Sequence, residues 1–165
     1  MIILGIDPGL ATVGYGVISS RSGISKSIDY GAVITKAGLL LERRLELIYD
    51  HIGDLIEKHK PDAMAIEELF FNTNVKTAID VAHARGVILL AAAKHGLDIY
   101  EYTPLQIKQS VVGYGRAEKH QIMYMVKLLL KLNEVPKPDD TADALAVALC
   151  HANFSMHSTA NTQKK

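Results

Sequence analysis

The spacing of apolar residues changes period after about residue 35, and that change limits the fold more than any other feature of the chain. Ile2-Ile-Leu-Gly-Ile6 is a short apolar run broken by the turn residues Asp7-Pro8-Gly9. Val13 to Ser19 and Ile24 to Thr35 read as two further strands, divided by the polar Ser20-Arg21-Ser22-Gly23. Leu41, Leu45, Ile48, Ile52, Leu55 and Ile56 then recur at helical spacing, which predicts a helix from about Leu40 to Lys60, stopped by Pro61. Ala63-Met-Ala-Ile66 is another buried strand, Val75 to His95 a second helix ended by Gly96, and Asp98 to Tyr102 a fifth strand. Thr103-Pro104 opens a helix that Gly113-Tyr-Gly115 interrupts. A further helix is expected over Ala117 to Leu132 and a last one from Asp139 or Asp140 to Phe154. An antiparallel meander followed by strand–helix–strand units gives an α/β protein with a five-stranded mixed sheet and helices on both faces.

A chain of 165 residues fits one domain, expected over residues 1–154, and its polar end, residues 155–165, is expected to be disordered. The longest apolar run, Val87 to Ala93, falls far short of the roughly 20 residues a membrane span needs. Met1-Ile-Ile-Leu4 has no basic segment and soon meets Asp7, unlike a signal peptide. The single cysteine, Cys150, excludes an intrachain disulfide, and a cytoplasmic location is expected. The formal net charge of zero argues against a general nucleic-acid coat. Lys108, Arg116, Lys119, Lys127 and Lys131, opposed only by Glu118, nevertheless form a basic stripe that could track a phosphate backbone. An ordinary solvated helix face explains the same stripe.

Two apolar strands each end in an acid, Asp7 after Ile6 and Glu67 after Ile66. In open α/β sheets ligands bind beyond the carboxyl ends of the strands, so neighbouring strands would aim both carboxylates into one crevice. Asp140 and Asp143, three apart, share one face of the last helix. Four converging carboxylates repel unless cations are present, and magnesium or manganese takes oxygen ligands. Two such ions about 4 Å apart suit an in-line displacement at phosphorus. Taken singly, Asp7 reads as a turn residue before it reads as a ligand, Glu67 could begin a solvated loop and Asp140 is an N-cap. Asp143 is harder to dismiss, because it lies among Ala142, Ala144 and Leu145. No cysteine pair or spaced histidines suggest zinc, Asp7-Pro-Gly-Leu-Ala-Thr-Val-Gly14 lacks the end of a P-loop, and Cys150 reads as packing.

Gly5-Ile-Asp-Pro-Gly9 with Gly14-Tyr-Gly-Val17 resembles the opening of the RuvC family, the bacterial crossover-junction endodeoxyribonucleases. Ala65-Ile-Glu-Glu-Leu-Phe70, Ala84-Arg-Gly86, Lys108-Gln-Ser-Val-Val-Gly113, Ala117-Glu-Lys119 and Asp139-Asp-Thr-Ala-Asp-Ala-Leu-Ala146 match it in order, over nearly the whole chain. The resemblance implies an RNase H-like fold, a homodimer, and resolution of four-way Holliday junctions by symmetric nicks during recombination and repair. It places the family's metal-binding acids on Asp7, Glu67, Asp140 and Asp143, with magnesium as cofactor, manganese able to substitute, and two ions per site. Glu68 and Asp139 fall beside the motif. It places DNA-binding roles on Phe70, Lys108 and Lys119, and implies the RuvA–RuvB branch-migration complex as partner. Where family members often carry a lysine after the aromatic, this chain reads Phe71-Asn-Thr-Asn74. Two other readings stand at this point: a non-catalytic junction-binding module, and an actin-like ATPase, which would need two such domains.

Phe70 follows Glu67 by three residues, beside Phe71 and the polar Asn72-Thr-Asn74. If it stacks on an unpaired base, a contact worth roughly 1–3 kcal/mol, Phe70→Ala slows cleavage of a fully paired junction. The defect shrinks on a junction already unpaired at the crossover. A sharp fall in thermal stability with equal loss on both substrates would instead make Phe70 a core residue.

Overall fold

The computed structural model describes residues 1–68 and 75–162. Strands β1 (Ile2–Asp7), β2 (Thr12–Arg21) and β3 (Ile24–Ile34) form the expected antiparallel meander. Its second turn is only Ser22-Gly23, both at positive φ, the conformation that matches the twist of a two-residue hairpin. Helix α1 (Leu41–His59) leads to β4 (Ala63–Glu67), and α2 (Val75–Lys94) leads to β5 (Asp98–Tyr102). β4 lies parallel to β1 and β5 parallel to β4, so the sheet order is β3-β2-β1-β4-β5. Helices α3 (Pro104–Val112), α4 (Lys119–Leu129) and α5 (Asp139–Thr162) complete the chain.

Alternation along the central strands sends neighbouring side chains to opposite faces. Leu4, Ile6, Met64 and Ile66 pack with Ile48 and Ile52 of α1 and Ala84 and Ile88 of α2. Ile3 and Ala65 face the other way, onto Ile107 of α3, Ile122 and Val126 of α4, and Leu145 and Ala148 of α5. Both faces are therefore covered, as the continuous apolar runs of β1 and β4 require. Among the described residues no helix is long and apolar enough to cross a membrane.

Helix boundaries differ from the sequence expectation at both ends of α4, which stops at Leu129 rather than Leu132, and at the end of α5. α4 starts at Lys119 rather than Ala117, because Glu118 is its N-cap in a reciprocal capping box with Gln121. The last helix was expected to end near Phe154, whereas α5 spans Asp139–Thr162. Ser155 Oγ donates to the Ala152 carbonyl within the helix, and Met156 lies against Gly23 at the β2–β3 turn. The polar side chain that reads as a tail residue is thus satisfied inside the helix.

α5 crosses β1 and β2 at very short range. A Cβ at Gly5 would overlap the Ala144 carbonyl oxygen, one at Gly14 the Asp140 carbonyl oxygen, and one at Gly16 would stand 2.6 Å from Leu145 Cδ2. Gly14 is also the register partner of Asp7. Gly14→Ala is expected to push the start of α5 off the sheet and to cost about 1–3 kcal/mol in urea unfolding. Gly38→Ala, with open space around it, serves as control. Equal midpoints for the two variants would refute the close-approach account.

Candidate active site

The parallel pairing of β1 with β4 sets Ile6 beside Ile66, so the residues that follow, Asp7 and Glu67, leave the sheet side by side at its carboxyl edge. α5 delivers the other acids. It begins at Asp139, which puts Asp140 inside the first turn rather than at a capping position and Asp143 one turn further. The contact of Gly14 with the Asp140 backbone brings this turn directly over the end of β1. The four sequence-predicted carboxylates therefore come close together: Asp7 feels the charges of the other three, and Glu67 and Asp143 line one cavity.

Their electrostatics show how closely they are coupled. Burial raises the Asp7 carboxyl first, and the charges of Glu67, Asp143 and Asp140 raise it further. With Lys119 pulling the other way, it is pushed from its ordinary 3.8 up to about 8. Glu67 is raised by burial and by Asp143, against Lys119 and Lys108. Asp143 is also raised by burial, although Lys119 bonds to it and opposes the shift, while Asp140 and Asp139 add to it.

Two cations line the same crevice. Lys119 Nζ lies 2.9 Å from Asp143 Oδ2 and 3.5 Å from Asp139 Oδ2. Lys108, on α3, borders a cavity of about 230 Å³ together with Glu67, Lys119 and Asp143, against an apolar wall that includes Ile107 and Ile122. Lys131 stands apart from this group, exposed and at positive φ beyond the end of α4. Phe70 and the segment Phe71-Asn-Thr-Asn74 lie outside the described residues.

Asp139 was set aside in the sequence as a neighbour of the motif, yet it shares Lys119 with Asp143. The two are four apart on one helix face, a spacing that carries this signal. The ion pair of Arg85 with Glu101, at 2.6 Å, joins α2 to β5 and had no sequence signal. Cys150 is buried and its thiol is pushed up to about 12 by burial, which makes it packing rather than a nucleophile. His151, also buried, is held by the Tyr102 hydroxyl at 2.7 Å.

Among the described residues no three His, Cys, Asp or Glu groups already surround a point where an ion would sit. The donor set nevertheless fits a hard divalent cation. It consists of carboxylate oxygens, it carries more negative charge than Lys119 neutralises, and Lys119 already holds one member by its oxygen. The sequence profile of the family described as "Crossover junction endodeoxyribonuclease RuvC" matches residues 3–151.

The chain belongs to the RuvC family. A crossover junction endodeoxyribonuclease RuvC of Alkaliphilus metalliredigens is 60% identical over 153 residues, 93% of each chain. The protein of that description in Clostridioides difficile is also 60% identical, over 93% of this chain and 90% of the relative. Thermus thermophilus RuvC in complex with a Holliday junction substrate superposes with a TM-score of 0.91 at 34% identity, covering 96% of this chain and 97% of that one. The fold is thus the RNase H-like fold of RuvC structures, and the chain is a nuclease of this family. The actin-like ATPase reading is set aside by a family match that spans almost the whole chain.

The raised Asp7 value predicts a pH dependence in metal-free protein. Folding favours the protonated form, so the associated stability is fully present below the unfolded value near 3.8 and is lost as pH rises through about 8. Asp7→Asn, permanently neutral, should therefore melt higher than the parent chain in chelator. The gap should widen from pH 5 to pH 8 and level off above, at about 2–4 °C for each kcal/mol relieved. Differential scanning fluorimetry showing a pH-independent gap would contradict this coupling.

Proposed function

We propose that Asp7, Glu67, Asp140 and Asp143 are the metal-holding acids of an endonuclease site that cuts four-way DNA junctions by phosphodiester hydrolysis. The observation that carries this reading is the convergence of strand-end and helix carboxylates beside Lys119 and Lys108. Magnesium, with manganese as substitute and two ions per site, suits four oxygen ligands. Bound there, the ions supply Lewis acidity toward the scissile phosphate and the attacking water.

The chain's own groups do the rest. Lys108 and Lys119 stand at the mouth of the crevice, where their ammonium groups hold phosphate oxygens and oppose the charge that develops at phosphorus. Ile107 and Ile122 make one wall apolar, which strengthens these interactions by lowering the local dielectric. Phe70, by family resemblance, stacks on an unpaired base at the junction centre.

The protein acts as a homodimer in this reading, because paired nicks on a two-fold symmetric junction call for two related sites. Helix α2 supplies a surface for it. Ala84, Ile88, Ala91 and Ala92 face the core, while Ile79, His83, Gly86, Leu90 and Ala93 form an exposed stripe at spacings of three and four. The RuvA–RuvB branch-migration complex is the partner implied by family, and the cytoplasm the site of action.

The test is a comparison of cleavage with binding on a synthetic four-way junction, with linear duplex as control. Asp7→Asn, Glu67→Gln, Asp140→Asn and Asp143→Asn are each expected to lower cleavage in magnesium by roughly 10²–10³-fold while junction binding persists. Glu68→Gln, beside the motif, should matter far less. Full activity in any of the four would remove that residue from the site.

A further inference from the structure

We propose that Lys119 is the resident counterion of the carboxylate crevice, and that a divalent ion entering it displaces the lysine from Asp143 onto Asp139. This inference rests on the reading that the four acids hold the metal.

Lys119 does not approach the crevice loosely. Its ammonium bonds Asp143 Oδ2 at 2.9 Å, a short charge-assisted contact, and reaches Asp139 Oδ2 at 3.5 Å. Asp143 is the more sheltered acid, with a side chain 26% exposed, and Asp139 is the open one at 57%. An oxygen that binds the ammonium cannot also bind a metal ion without bringing two cations together. A metal ion that takes Asp143 Oδ2 competes with Lys119 for it, and Asp139 is the carboxylate left for the lysine once it yields.

The surroundings permit that move. Lys119 is the first residue of α4, whose start is fixed by the capping box between Glu118 and Gln121. Its backbone is held, while a four-carbon stem lets the ammonium swing. Asp139 and Asp143 lie one turn apart on the same face of α5, so the transfer is a short step along one helix. The displaced lysine then sits on Asp139, the more exposed of the two acids. Asp139 is thereby a positioning residue acting through Lys119.

The experiment is calorimetric titration of the full chain with Mn2+ in the absence of DNA. Lys119→Met, and Lys119→Gln as a second variant, should bind Mn2+ about two- to fivefold more tightly than the parent, the range set by a half-exposed ion pair. Lys108→Met removes a nearby charge that shares no oxygen with Asp143, and should tighten binding less. Asp139→Asn should weaken binding in the parent chain but have a smaller effect in the Lys119→Met background, a non-additivity that a general field does not produce. Equal tightening by the Lys108 and Lys119 variants, or additive effects of Asp139 and Lys119, would overturn the proposal. So would unchanged or weaker binding by the Lys119 variants while the parent binds Mn2+, which leaves the metal-site reading standing. Absence of Mn2+ binding by every variant and the parent removes both.

Discussion

The architecture of the site depends on one contact, the approach of α5 to the central strands at glycine distance. Backbone of the helix meets Gly5 and Gly14, and Leu145 lies over Gly16. No other residue type leaves room for the helix axis to come so near the sheet. At this separation the first turn of α5 stands directly above the end of β1, and its carboxylates enter the same space as Asp7 and Glu67. The alanines that follow, Ala144, Ala146 and Ala148, continue the close contact along a helix that is buried on almost every side. On this face α3 and α4 close around the helix to cover it.

That closeness has an electrostatic cost. Asp7, Glu67 and Asp143 are all raised by burial, and each is raised further by neighbouring acids. A packed fold gains nothing from concentrating like charges at low dielectric, and the strain is tolerable only where a function uses it. Lys119 relieves part of it through a pair that is more than half exposed on the lysine side, so it neutralises charge without locking the crevice.

The opposite face of the sheet carries no such strain. α1 and α2 cover it with branched aliphatic residues and alanines, and the buried guanidinium of Arg85 ties α2 to β5 through Glu101. α2 then turns a narrow apolar stripe with Gly86 at its middle outward, toward whatever lies beyond the monomer.

The hydrophobic period by itself determined the order of elements, the mixed sheet and the helical coverage of both faces, because alternation and helical spacing follow from local geometry alone. It also marked Asp7 and Glu67, since an acid that ends a buried strand has few places to go. Asp140 and Asp143 were legible as a pair on one helix face. Periodicity did not reveal how far α5 extends, because Ser155 satisfies its hydroxyl on the helix backbone and Met156 finds Gly23, a contact distant in sequence. Nor could it place Asp139 in the charge network. Its tie to Lys119 exists only because α4 and α5 pack together, and ion-pair partners 20 residues apart in the chain leave no local pattern. The elements and the candidate acids were written in short-range spacing, whereas the coupling among those acids and the cation that balances them arose from the distances that packing sets.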